Sequence, residues 1–167
     1  MYFRAGSSPQ TVEPVQESSA INLLQISVGK RFEWNSFHLD SYVVYQKTDR
    51  ENLIRTPEVY TFNSVYKEQT FFKVLKTQIG FDLRYNTSYK ALSYAPAISQ
   101  FYNGKDVVYD SKPVVDVWVK AGLRRANLFV KYDYVNQGLL SNGYYTVIDY
   151  PMPDRLLKFG LIWNFYD

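Results

Sequence analysis

The sequence predicts an all-β fold, an antiparallel transmembrane β-barrel with about seven strands in view, and two observations carry this prediction. Aromatic side chains make up 18% of the residues, although the mean hydropathy is slightly negative at −0.31. Several segments alternate between apolar and polar residues, and because side chains alternate across a strand, each segment has one apolar and one polar face. No apolar run approaches the roughly 18 residues of a membrane helix.

The clearest alternation lies in the last twelve residues, LLKFGLIWNFYD. Leu157, Phe159 and Leu161 fall on one face of a strand, and Lys158 and Gly160 fall on the other. A strand that is apolar outside and polar inside is typical of an outer-membrane barrel.

Composition excludes several kinds of site. The chain has no cysteine, which excludes disulfides and thiol-based metal or catalytic sites. Its net charge of +3 comes from scattered basic residues, so we expect no nucleic-acid partner. The single histidine, His38, shares a strand face with Asp40, but Ser41 points to the opposite face, which disfavours a hydrolytic triad. We therefore expect a protein that is not an enzyme and needs no cofactor.

Residues 1–20 are rich in Ser, Pro, Gln and Glu without a period, which predicts an irregular lead-in, and residues 21–167 carry the predicted barrel strands. The first residues lack the features of a secretion signal. Since a barrel must be exported, we expect either that a signal has already been removed or that this chain is a piece of a longer protein.

The strands follow in order. Residues 21–32 alternate and end at a tight-turn signal at 33–36, residues 37–47 form the returning strand, and a polar loop covers 48–57. Residues 59–71 are ambiguous, whereas 75–85 alternate clearly. A long loop is predicted at 93–113, strands at 115–124 and 128–134 joined by a short turn, a second long loop at 136–155, and the terminal strand after it.

The two faces define the candidate functional residues. The predicted lumen-lining residues are Arg31, Asp40, Lys76, Asp82, Arg84, Asp116, Lys120, Arg124, Lys131, Asp133 and Lys158. The predicted lipid-facing residues are Ile79, Phe81, Leu83, Val117, Val119, Leu128, Val130, Phe159, Leu161, Trp163 and Phe165. A slight preference for anions would follow from the lumen charges, or else these charges pair across neighbouring strands and stabilise the wall.

The predicted connections alternate between short and long, as they do between the periplasmic and extracellular ends of such barrels. Seven strands is an odd number, whereas single-chain bacterial barrels usually have an even one. Either this chain is the C-terminal part of a larger barrel or one strand lies hidden in a segment interpreted as loop. The missing secretion signal favours the C-terminal part of a larger barrel.

From about Leu75 onward the sequence resembles the C-terminal region of the "putative porin" family of Bacteroidota outer membranes. The similar segments are LRYNTSY (83–89), YAPAISQFY (94–102), FVKYDYVNQG (129–138), YPMPDR (150–155) and KFGLIWNFYD (158–167). The resemblance implies insertion by the outer-membrane assembly machinery, although the chain ends in Asp167 where the general assembly signal ends in an aromatic residue.

The leading hypothesis is an integral outer-membrane porin-like barrel that admits small solutes by passive diffusion, located in the bacterial cell outer membrane. Its expected partners are outer-membrane lipid, upstream strands of the same barrel and the assembly machinery. One alternative is a non-conducting structural barrel of the outer membrane. Another is a soluble lipocalin-like ligand-binding β-barrel, whose apolar residues would face inward.

Overall fold

The computed structural model describes residues 2–6, 11–140 and 145–165. The strands are β1 (Tyr2–Ala5), β2 (Val12–Val15), β3 (Leu23–Trp34), β4 (Phe37–Thr48), β5 (Val59–Phe71), β6 (Leu75–Asn86), β7 (Tyr89–Lys90), β8 (Ser93–Ala95), β9 (Gln100–Tyr102), β10 (Val108–Tyr109), β11 (Val114–Gly122), β12 (Ala126–Asp133), β13 (Tyr145–Val147), β14 (Tyr150–Pro151) and β15 (Leu156–Trp163), with a 3-10 turn at Pro96–Ile98.

Seven long strands form one antiparallel sheet in the order β15-β12-β11-β6-β5-β4-β3. The predicted all-β antiparallel fold is therefore confirmed, and residues 59–71, ambiguous in sequence, form a central strand. The sheet is open: over the described residues, β3 and β15 are edge strands that each pair on one side. A closed barrel is not formed by these strands alone.

Register aligns the apolar positions of neighbouring strands into rows. Phe81 of β6 lies opposite Val65 of β5 and Val117 of β11. One residue further along β6, Asp82 lies opposite Ser64 and Asp116 on the other face. Because side chains alternate, the sheet has one largely apolar face and one polar face, called here the apolar face and the polar face.

Burial is inverted relative to a soluble sheet. Asp82, Asp116 and Asp133 are buried on the polar face, whereas Phe159 on the apolar face is 84% exposed. Most predicted lipid-facing residues are exposed in the same way. A soluble domain buries its apolar face, so this sheet presents to its surroundings the surface that a soluble domain would hide.

All short connections of the sheet lie at one end. Asn35 (φ 55°) lies in the turn between β3 and β4, Phe72 (φ 52°) and Lys73 (φ 60°) join β5 to β6, and residues 123–125 join β11 to β12. The long connections lie at the opposite end; their described residues are 49–58, 87–113, 134–140 and 145–155. The predicted alternation of short and long connections is present.

Three local expectations differ from the structure. Within the predicted irregular lead-in, β1 and β2 form a short antiparallel hairpin, because Tyr2–Ala5 pairs with Val12–Val15 across a brief connection. Arg124 lies in the turn after β11 ends at Gly122 rather than on a strand face. Phe165 lies beyond the end of β15 and is 80% exposed. The final residues, Tyr166 and Asp167, lie outside the described part of the chain.

Within the described ranges, no helix combines the length and the apolarity needed to cross a membrane.

Candidate functional site

The candidate site is the polar face of the seven-stranded sheet, where the predicted lumen-lining charges lie. One cross-strand row joins Arg31, Asp40, Ser64, Asp82 and Asp116 through successive registered pairs on β3, β4, β5, β6 and β11. Since residues directly opposite each other approach within about 5.5 Å, the row forces carboxylates of adjacent strands together, and each carboxylate then requires a donor.

Asp116 is the centre of this network. Its side chain is 1% exposed, and its Oδ2 lies 2.8 Å from Arg84 Nη2 and 3.1 Å from Lys131 Nζ. Its Oδ1 accepts a hydrogen bond from the backbone N–H of Tyr134 at 2.9 Å. A buried carboxylate is tolerated because two cations and an amide hydrogen satisfy it.

Asp82 is satisfied by a different set of donors. The Ser64 hydroxyl and the Trp118 indole N–H both donate to its Oδ1 at 2.8 Å. Lys131 Nζ lies 3.1 Å from its Oδ2, and lies 3.5 Å from Asp133 as well. Lys131 therefore joins three aspartates of three adjacent strands, Asp82, Asp116 and Asp133.

Two further pairs complete the network. Lys158 of β15 pairs with Asp133 of β12. Arg31 and Asp40 form a two-point contact at 2.5 and 3.1 Å, on an exposed part of the face. The network thus pairs three carboxylates with three cations on the polar face: Asp82, Asp116 and Asp133 with Arg84, Lys131 and Lys158.

Two predicted lumen-lining lysines stay outside these pairs. Lys76 and Lys120 are exposed on the polar face near the short turns, and neither forms an ion pair with a carboxylate of the described residues. Lys120 Nζ lies 4.4 Å from the centre of the Trp118 ring, a cation–π contact. Glu68, the acidic group nearby on β5, accepts a hydrogen bond from Gln78 at 2.7 Å.

Sequence reasoning missed the aromatic rings that are packed along the polar face. His38 stacks on Tyr66 with ring centres 4.8 Å apart, and Tyr66 lies 5.7 Å from Trp118. Between Tyr66 and Trp118 stands Gly80, where a Cβ would come within 2.5 Å of Tyr66 Cβ. A Cβ at Gly160 would likewise lie 2.3 Å from the Phe129 ring.

A signal for these rings was available in the sequence. Glycine inside a strand often marks a close approach by a neighbouring group. Gly80 and Gly160 both fall on the polar face of clearly alternating strands, so a ring on the adjacent strand was a reasonable expectation.

The long connections form a second structured region, the loop cap, defined here as residues 2–6, 11–15, 49–58, 87–113 and 134–155 without the undescribed 141–144. Arg55 holds its centre, with a side chain that is 5% exposed. Its guanidinium donates to the carbonyls of Ala91 and Lys105 at 3.0 and 3.1 Å and to Asp106 at 2.7 Å. One side chain thereby fixes two long connections to each other.

Asn103 joins the N-terminal hairpin to the loop cap. Its backbone N–H donates to Phe3 O at 2.8 Å, and its carbonyl accepts from Ala5 N–H at 3.3 Å. Its side-chain amide donates to the carbonyls of Asn52 and Leu53 at 3.3 and 3.2 Å. The hairpin is therefore an integral part of the cap.

The third long connection is attached through rings and backbone. Ile148 N–H donates to Leu92 O at 2.9 Å, and the rings of Tyr94 and Tyr150 meet edge to face 5.6 Å apart. Burial raises the pKa of the Tyr89 phenol, whose hydroxyl donates to Thr146 O at 3.4 Å. The three long connections are thus interlocked.

Among the residues that the structure describes, no group of three or more His, Cys, Asp and Glu side chains is arranged to hold a metal ion.

No curated protein and no solved structure matches the chain. A protein-family model with the description "Putative porin" matches residues 1–167, the whole chain. The match extends over the N-terminal part, where the sequence resemblance rested on strand pattern alone. The chain therefore belongs to the putative porin family.

Proposed function

We propose that this chain forms part of the wall of a bacterial outer-membrane β-barrel that lets small solutes diffuse passively through a polar lumen. The observation that carries the proposal is the inverted burial of the sheet, with Phe159 84% exposed and Asp116 1% exposed. Lipid is the environment in which an exposed row of large apolar side chains is stable. Membership of the putative porin family supports the same conclusion.

Strand dimensions support a membrane location. The seven strands of the sheet contain 8 to 13 residues, and a tilted strand needs about 9–11 residues to cross a bilayer. The interlocked loop cap would lie on the extracellular side, because barrels of this kind have long extracellular loops and short periplasmic turns.

The two open edges require partners in a membrane. Hydrocarbon offers no hydrogen bonds to the unpaired backbone groups of β3 and β15. In an antiparallel sheet of seven strands, these two edges run in the same direction. Closing the barrel with antiparallel pairs throughout therefore takes an odd number of additional strands, which we assign to upstream segments of the same protein. Insertion would depend on the outer-membrane assembly machinery.

The polar face would line the lumen. It carries the network of charged side chains together with exposed lysines, and a water-filled passage suits such a surface better than lipid does. The soluble lipocalin-like alternative places apolar residues inside a barrel; the exposed apolar face disfavours it. The non-conducting barrel has the same outer surface, so conduction must decide between the two.

The experiment uses the full-length protein in two stages. Refolding with and without non-ionic micelles, followed by electrophoresis of boiled and unboiled samples, should give a heat-dependent shift after micelle refolding alone. A β-rich protein indifferent to detergent would contradict the membrane proposal. Reconstitution into planar bilayers should then give steady ion conductance, whereas a correctly refolded barrel without conductance would be the structural alternative.

A further inference from the structure

We propose that the polar face carries a binding subsite for small organic anions with an apolar body, formed by Lys76, Lys120, Phe129 and Ile162 near the short turns. The proposal rests on the lumen assignment above and adds to it a location and a class of solute. These residues line one cavity of about 370 Å³, a size in the range of small-molecule sites.

The charge of this cavity distinguishes it from the rest of the polar face. Elsewhere on the face, Asp82, Asp116 and Asp133 neutralise three cations in direct contact. Here Lys76 and Lys120 have no carboxylate in contact among the described residues. Glu68 also lines the cavity, but its carboxylate accepts a hydrogen bond from Gln78 and pairs with neither lysine, so the two lysines outweigh its charge. The two ammonium groups are thus available to an anion that enters.

The two lysines lie close enough to act together. Lys120 is registered opposite Gln78, and Lys76 opposite Gly122, so the lysines are diagonal neighbours on adjacent strands. Diagonal neighbours stand about 7–8 Å apart at the backbone, within reach of long side chains. A carboxylate between the two amines would accept a charge-assisted hydrogen bond from each.

The apolar part of the cavity sets the shape of the solute. Ile162 lies on the polar face of β15 and is 58% exposed, and the Phe129 ring is 38% exposed beside it. Large exposed apolar side chains are unexpected on a polar face, and they offer a surface for the hydrophobic part of a solute. A carboxylate on an aromatic ring, as in benzoate, combines both requirements.

The test uses the full-length protein and benzoate. In non-ionic micelles, equilibrium dialysis against labelled benzoate measures binding directly, and in planar bilayers benzoate should reduce the chloride current. Lys76→Gln and Lys120→Gln should each weaken binding by about tenfold, the loss expected for one charge-assisted contact. Ile162→Asn should also weaken benzoate binding, because it removes apolar surface that would hold the ring.

Lys73→Gln is the matched control, since Lys73 lies in the turn at the same end and does not line the cavity. It should leave benzoate binding as in the parent protein. A protein that conducts but neither binds benzoate nor is blocked by it would overturn the subsite and leave the pore intact. Benzoate binding without conduction would overturn passive diffusion and leave the subsite intact.

Discussion

The strand wall and the loop cap are held together in different ways. In the wall, cohesion is distributed over long ladders, and β3 and β4 alone are registered from Leu23–Thr48 to Trp34–Phe37. In the cap, the strands are two to four residues long and cohesion depends on single side chains, chiefly Arg55 and Asn103. We therefore expect the effect of a substitution in the wall to depend on the face on which the residue lies. In the cap, we expect the effect to depend on which individual residue is replaced.

The largest effect is expected from a charge placed on the apolar face of the wall. Phe81 lies in the middle of β6, opposite Val65 and Val117. Phe81→Arg should destabilise the refolded protein by about 2–4 kcal/mol, the cost of arginine at the bilayer midplane. Urea titration of the full-length protein in lipid vesicles measures this difference in free energy of unfolding.

A matched pair on β15 isolates the contribution of lipid. Leu161 and Ile162 are adjacent, 59% and 58% exposed, and point to opposite faces. Leu161→Arg should be costlier than Ile162→Arg in vesicles, because it alone places the guanidinium in lipid. Equal costs would mean that both faces meet the same environment, and the assignment of one face to lipid and the other to a water-filled lumen would fall.

A somewhat smaller loss is expected at the centre of the polar face. Asp116→Asn removes the charge that Arg84 and Lys131 share. Loss of hydrogen bonds to a charged group costs about 1.5–3 kcal/mol, so the free energy of unfolding should fall by that amount. Asp40→Asn is the control, because its pair with Arg31 is exposed and should contribute about 0–1 kcal/mol. Similar losses at both positions would show that burial of Asp116 contributes nothing.

The wall could be predicted from sequence because its chemistry repeats with a period of two. The segments around Leu83, Val119 and Leu161 alternate strictly, so both their strand type and their faces follow from residue order. The strand at Val59–Phe71 was ambiguous because Thr61, Asn63 and Lys67 interrupt its apolar face. These residues form a strand nevertheless, because they pair with β4 on one side and with β6 on the other.

The contacts within the site could be predicted less well. Sequence places Asp82 and Lys131 on the polar face, but their contact spans 49 residues and depends on the order of strands in the sheet. The cap could not be predicted at all, since strands such as Val108–Tyr109 are too short to show a period. Nothing in the sequence around Arg55 indicates that its guanidinium binds carbonyls of a distant loop.

The cap's dependence on one side chain gives a further prediction. Arg55→Gln removes the ion pair with Asp106 and weakens the contacts to Ala91 and Lys105. A loss of about 1.5–3 kcal/mol in the cap corresponds to roughly tenfold or faster protease cleavage within 87–113. Cleavage rates of the refolded protein in micelles measure it, and the urea midpoint of the wall should stay unchanged.

Arg50→Gln provides the control in the same connection. Arg50 is exposed, and its guanidinium donates to the hydroxyl of Ser19, likewise exposed, at 3.0 Å. Cleavage of this variant should match that of the parent protein. If Arg55→Gln also leaves cleavage unchanged, cohesion of the cap is distributed in the way that cohesion of the wall is.

The smallest effect is expected at the junction of the two regions, where Asp49 follows β4 and Asn22 precedes β3. Asn22 donates from its backbone N–H at 3.1 Å and from its side-chain amide at 2.9 Å, and these bonds hold the pKa of Asp49 below its ordinary value. Because the folded-state pKa is lowered, the contribution to stability is complete above the unfolded pKa and is lost as pH falls through the folded one.

The carboxyl carbon shift of Asp49, followed by NMR during acid titration, should show the lowered pKa in the parent. Asn22→Ala should raise it toward the ordinary value, while Ser19→Ala, which leaves both bonds to Asp49 in place, should not. A pKa unmoved by Asn22→Ala would mean that the wall and the cap are not joined through this contact.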